Sequence, residues 1–135
     1  MSSKEEKLNA LTQQISAEVA DGKKPSAINK YMKNFFFKAL KRKPEIKAVE
    51  KVIGSLTSIT MMMSEKKNLL RAESEKGRED IDMTKEEVEK FLKTFNVKQS
   101  SVDDCKSVFV QLNFSTLLLS IQLNKNDGTQ ENIYI

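Results

Sequence analysis

Lysines are the residues of this chain whose number and spacing most plainly suggest chemistry. Ten basic residues (Lys23, Lys24, Lys30, Lys33, Lys38, Lys41, Arg42, Lys43, Lys47 and Lys51) stand between positions 23 and 51 against only Glu45 and Glu50. That is a local net of +8 in a chain whose formal charge is +4, so the remaining residues together carry −4. Clustered Lys and Arg neutralise phosphates and release condensed counterions, which makes a polyanion the expected ligand. On a helix running from Ser26 to about Lys43, Lys30, Lys33 and Lys41 fall within about 40° of Phe37, opposite an apolar stripe. An aromatic ring among lysines can stack on an unpaired base. It can equally pack under another helix while the lysine stems pass it, and the neighbouring Phe35 and Phe36 favour that packing role. The candidate nucleic-acid contacts are Lys30, Lys33, Phe37, Lys38, Lys41, Arg42, Lys43, Lys47 and Lys51. Because Lys dominates and Arg, the bidentate reader of bases, occurs once, little sequence specificity is expected.

Blander roles compete for the same residues. Lys41-Arg42-Lys43 at a helix C-terminus would complement the macrodipole without any ligand. The acidic stretch from Glu73 to Glu89 could pair with the basic segment, or the segment could simply be solvated. A basic amphipathic helix can also lie on an anionic membrane, although a domain with a sheet to cover is expected to spend its apolar face on its own core.

Other chemistry is poorly provided for. The chain has no His, so a Ser-His or Cys-His nucleophile pair cannot form, and zinc loses its commonest ligand. The single cysteine, Cys105, follows Asp103 and Asp104, whose charge opposes thiolate formation. The four glycines are isolated, and none opens a phosphate-binding loop. Glu73, Glu75, Glu79, Asp80, Asp82, Glu86, Glu87 and Glu89 alternate with Lys76, Arg78, Lys85 and Lys90, the pattern of a solvated helix surface rather than a metal site. The residues therefore point to a non-enzymatic protein with no cofactor and no metal.

The elements that must position these residues follow from periodicity. Leu8, Leu11, Ile15 and Val19 recur at helical spacing and define a first helix ended by Gly22. Ile28, Tyr31, Met32, Phe35, Phe36, Ala39 and Leu40 share one face of the second. Pro44 suits the first turn of a third, read to about Gly77, whose residues Ile46, Val49, Ile53, Leu56, Thr60, Met63, Lys67 and Leu70 step by three and four. Thr60 and Lys67 weaken that seam. It nevertheless nominates Ile46, Val49, Ile53, Leu56, Met63 and Leu70 as an oligomerisation surface. Thr84 and Glu87 form a capping-box signature for a fourth helix. From Lys106 the period changes to two, and Asp127-Gly128 signals a hairpin before the residues from Gln130 to Ile135.

The expected fold is α+β: a mainly helical body with one long central helix at about 44–77 and a small C-terminal antiparallel three-strand meander. It would be a single domain over 1–135, divisible at Gly77 into a helical region and a helix-plus-sheet region. The expected function is nucleic-acid binding, RNA or DNA, through the basic helical segment. The alternative is an assembly, adaptor or inhibitor protein, viral or bacterial, that meets an acidic protein surface or forms a homo-oligomer through the long helix. With no window of ~18 apolar residues and no signal-like N-terminus, a cytoplasmic location is expected, or the host cytoplasm for a viral protein.

Overall fold

The computed structural model describes residues 4–40, 56–75 and 77–135, with the side chains of Lys4, Glu5, Leu8 and Leu40 left aside. In chain order the described elements are α1 (Lys4–Ala20), α2 (Ile28–Leu40), β1 (Leu56–Ser64), β2 (Asn68–Ser74), β3 (Gly77–Asp82), α3 (Lys85–Thr94), α4 (Gln99–Asp103), β4 (Cys105–Asn113), β5 (Leu118–Lys125) and β6 (Gln130–Tyr134). The strands form one antiparallel sheet in the order β3-β2-β1-β4-β5-β6. Two meanders, β1–β3 and β4–β6, are thus joined at the centre by the β1–β4 pairing, with α3 and α4 carrying the chain between them.

This architecture overturns the mainly helical body with a long helix at 44–77 and a three-strand sheet. Positions 56–74 are β1 and β2, and Gly77 opens β3; positions 44–55 lie outside the described residues. The 3-4 spacing misled because it also falls on buried strand positions. A bulge between Leu56 and Ser58 shifts the alternation, after which Ile59, Met61 and Met63 face inward. Thr60 lies on the opposite face of β1, and Lys67 sits in the turn. Met61-Met62-Met63, Leu69-Leu70 and Ala72 are good helix formers, but pairing with β4 on one side and β2 on the other decides their conformation. Leu56, Met63 and Leu70 are buried in the sheet's interior and present no helical seam, whereas Ile46, Val49 and Ile53 lie outside the described residues.

The β1–β2 hairpin closes through Ser64, whose N–H donates to the Lys67 carbonyl at 3.0 Å and whose Oγ accepts from the Lys67 N–H. Glu65 and Lys66 keep negative φ, so the turn needs neither Gly nor Asn. The β5–β6 hairpin does need its glycine. Gly128 takes φ +89 after Asn126-Asp127, and the Asp127 carboxylate accepts from the Thr129 N–H and Oγ. Asp127-Gly128 therefore lies in a loop closed by the Lys125 N–H donating to the Thr129 carbonyl at 2.8 Å.

One face of the sheet carries Ile59, Met61, Leu70, Ile81, Val108, Val110, Leu112, Leu119, Ile121 and Leu123, all buried at the register positions where neighbours meet. The helices supply the other half of this core through Ile15, Ile28, Met32, Phe36, Phe91 and Leu92. An aromatic cluster fixes α2 against α3: the Phe91 ring lies 5.9 Å from Tyr31, 5.5 Å from Phe35 and 4.8 Å from Phe95. Burial pushes the Tyr31 phenol above its usual pKa, and its hydroxyl reaches Thr94 Oγ1 at 3.3 Å. The capping box at Thr84 forms as read: its hydroxyl accepts from the Glu87 N–H and the Glu87 carboxylate accepts from the Thr84 N–H, an arrangement worth about 1 kcal/mol.

The opposite sheet face is polar with scattered apolar residues. Phe109, Leu118 and Tyr134 are exposed there, among Gln111, Ser120, Gln122, Asn124 and Asn132. Arg71 Nε lies 2.8 Å from the Asp80 carboxylate, and this guanidinium holds the Asp80 carboxyl below its ordinary pKa. Among the described residues, no helix is long and apolar enough to cross a membrane.

Candidate nucleic-acid interface

The α1–α2 corner sets the direction of the basic helix. Gly22, at φ +72, ends α1 in a Schellman turn: its N–H donates to Val19 and the Lys23 N–H donates to Glu18. Glu18 then accepts from Gln14 and from both the N–H and the hydroxyl of Ser26, and these hydrogen bonds, Gln14's first, hold its carboxyl below its usual pKa. Ser26, where the second helix was expected to begin, is thereby engaged by the preceding helix.

From this corner α2 runs with Ile28, Tyr31, Met32, Phe36 and Ala39 buried and Phe35 half-buried. The remaining face points outward. Lys30 and Lys38 are exposed, Lys33 is half-buried, and Phe37 keeps 40% of its surface exposed while also making contact with other groups. Phe37 is thus partly packed and partly open. Lys41, Arg42, Lys43, Lys47 and Lys51 lie outside the described residues.

Two features describe the charge of the described part of the basic segment. From Lys23 to Leu40 it holds five lysines and no carboxylate. Among the described residues none of the five forms a close ion pair, although the charge of Lys23 reaches the Glu18 carboxylate; in the acidic hairpin β2–β3, Asp80 pairs with Arg71 of the same hairpin. The described residues from Glu73 to Asp82 form a strand pair, not the solvated helix surface expected of them.

Next to this face is a cleft that was not legible in the sequence. It has a volume of about 320 Å³ and is lined by Leu56, Thr57, Asn113, Phe114 and Ser115. Hydrogen bonds tie its lining together: the Phe114 N–H donates to the Thr57 carbonyl at 3.0 Å, and Asn113 Oδ1 accepts from the Ser115 N–H and hydroxyl at 2.8 and 2.6 Å. Lys33 Nζ sits 5.7 Å from the centroid of the Phe114 ring, within cation-π range. A cation and a half-buried aromatic ring that lines the cleft therefore meet here. The alternation of the C-terminal strands marks Phe114 only as a strand residue; its meeting with Lys33 depends on tertiary packing.

The Cys105 thiol is shifted for a different leading reason from the one its neighbours suggest. Burial is the main influence raising its thiol pKa, the Asp104 and Glu131 charges add to it, and Lys125 opposes it; Sγ donates to the Ser101 carbonyl at 3.1 Å. Among the described residues, no group of three or more His, Cys, Asp or Glu is placed to hold a metal ion. Compared with known proteins, the chain matches no protein-family model, no curated protein and no solved structure.

Proposed function

We propose that the protein binds nucleic acid, with little sequence preference, through the outward face of α2. Lys30, Lys33 and Lys38 contact phosphates, and the sequence stays basic through Lys41, Arg42, Lys43, Lys47 and Lys51, which lie outside the described residues. The Phe114 cleft beside Lys33 takes an unstacked base, which favours single strands over duplexes. The observation that carries this reading is the five lysines between 23 and 38, with no carboxylate among them and no ion pair among the described residues. A single, half-buried cysteine fits a reducing, cytoplasmic setting.

The opposite sheet face supports this reading less well. Its charged residues, Arg71 and Arg78 against Glu73, Asp80 and Asp82, sum to −1, so phosphates gain nothing there despite Phe109 and Tyr134.

A salt titration tests the proposal. Binding to a fluorescent single-stranded oligonucleotide of ~20 nucleotides is expected to weaken linearly in log-log form, with a slope between about −2 and −6 for three to eight neutralised phosphates. A duplex of the same sequence is expected to bind more weakly. No binding of either at ~50 mM salt rejects the proposal and leaves an acidic protein surface as the partner of the lysines.

A further inference from the structure

Among the described residues the sheet ends in two edges that differ in chemistry. β3 is guarded by charge: Arg78, Glu79, Asp80 and Asp82 occupy four of its positions. β6, Gln-Glu-Asn-Ile-Tyr, carries one carboxylate, and Glu131 is drawn back toward Lys125 of its own hairpin, 3.6 Å away. It contains no Pro, Gly or Lys.

The hydrogen-bond phase of β6 shows which of its backbone groups are unused. Leu119 and Ile135 exchange both their bonds, at 3.3 and 2.9 Å, and the Lys125 N–H donates to Thr129 at the other end. In an antiparallel ladder these bonded pairs alternate, so Thr129, Glu131, Ile133 and Ile135 face β5. The N–H and C=O groups of Gln130, Asn132 and Tyr134 face away from the sheet, and their side chains lie on its open face beside Gln122 and Ser120.

We propose that a second copy of the chain pairs antiparallel with β6 across a two-fold axis through Asn132, joining two six-stranded sheets into one of twelve. A copy suits this edge because the outward positions 130 and 134 are equally spaced about Asn132 and none of the three outward side chains is charged. Asn132 meets Asn132 of the other copy, and Gln130 and Tyr134 meet each other twice, so all six outward backbone groups are satisfied. No like charges face each other in that register. The same operation on β3 would set Asp80 against its own copy, which is unfavourable. Tyr134, 67% exposed in the single chain, gains cover from Gln130 of the second copy. A five-residue edge buries less than the ~1,200 Å² of a standard interface, so the dimer belongs to the micromolar class. This inference is independent of nucleic-acid binding.

Sedimentation velocity on the full chain from ~1 to ~200 µM tests it, in the concentration range of a weak interface. The wild type is expected to pass from monomer to dimer. Asn132→Lys and Asn132→Asp are each expected to weaken the dimer about fivefold or more, because each sets like charges on the axis. An equimolar mixture of the two is expected to associate more tightly than either alone. Asn132→Pro removes an N–H that β5 does not use and is expected to abolish the dimer with an unchanged circular dichroism spectrum. A wild type monomeric throughout overturns the proposal, as does a dimer indifferent to all three substitutions. So does a mixture that associates no better than its components.

Discussion

Reversing Lys30, Lys33 and Lys38 together to glutamate is expected to lower affinity for a single-stranded oligonucleotide by at least about 100-fold at ~50 mM salt. Three lost contacts of about 1 kcal/mol each account for roughly that factor, and the repulsion of three new carboxylates adds to it. The fold should tolerate the change. Lys30 and Lys38 are exposed, and Lys33 gives up only its approach to Phe114, worth about 0.5–1 kcal/mol. The control is the same reversal at Lys85, Lys90 and Lys93, exposed lysines of α3. It changes the net charge by an equal amount and is expected to cost less than about tenfold, because only charges near the phosphates survive screening at that salt. Equal losses in the two triple variants would mean that net charge, and not the α2 face, sets the affinity. Fluorescence anisotropy with both proteins side by side decides the point.

Phe91→Ala is expected to destabilise the protein by about 3–5 kcal/mol, as large-to-small changes at fully buried aromatic positions do. Phe91 is fully buried, and its ring is the common neighbour of Tyr31, Phe35 and Phe95. Tyr31 and Phe35 belong to α2, so this cluster also fixes which face of α2 turns inward. Since a domain of this size is stable by only about 5–15 kcal/mol, the loss is a large share of the total. Urea unfolding followed by far-ultraviolet circular dichroism measures it directly. A loss under about 1 kcal/mol would show that α2 and α3 are not held together through Phe91. The binding face would then need some other anchor.

Parts of this structure could be read without it. Strands β4, β5 and β6 form where alternation set them, because each keeps one apolar face on the core and the other toward solvent. The helical stripes of α1 and α2 and the capping box at Thr84 are local signals, and they also hold. The first meander could not be read in this way. From Met61 to Ala72 most residues have good helix propensity, and the Glu65-Lys66 turn uses negative φ, so no Gly or Asn announces it. Only the pairing of β1 with β4, about fifty residues later, reveals these residues as strands.

The candidate site divides along the same line. The outward direction of Lys30, Lys33 and Lys38 follows from the apolar stripe of α2 and was legible. The meeting of Lys33 with Phe114 joins residues 81 positions apart and is a product of tertiary packing. The open edge at β6 depends on strand order, which periodicity does not specify. Charge segregation survives the correction of the fold because it is a property of the sequence: the acidic residues moved from an expected helix to a hairpin, and the described lysines make no close ion pair with them among the described residues.

The central claim concerns where a polyanion lies on this molecule, and chemical-shift mapping addresses that directly. Titrating the isotopically labelled full chain with a short single-stranded oligonucleotide is expected to perturb the backbone amides of α2 from Lys30 to Lys38, together with those of Phe114 and Ser115 at the cleft. Amides of Met62, Phe109, Gln122 and Asn132, across the opposite sheet face, should stay in place. Perturbations concentrated on that opposite face, with Lys30, Lys33 and Lys38 unmoved, would contradict the account.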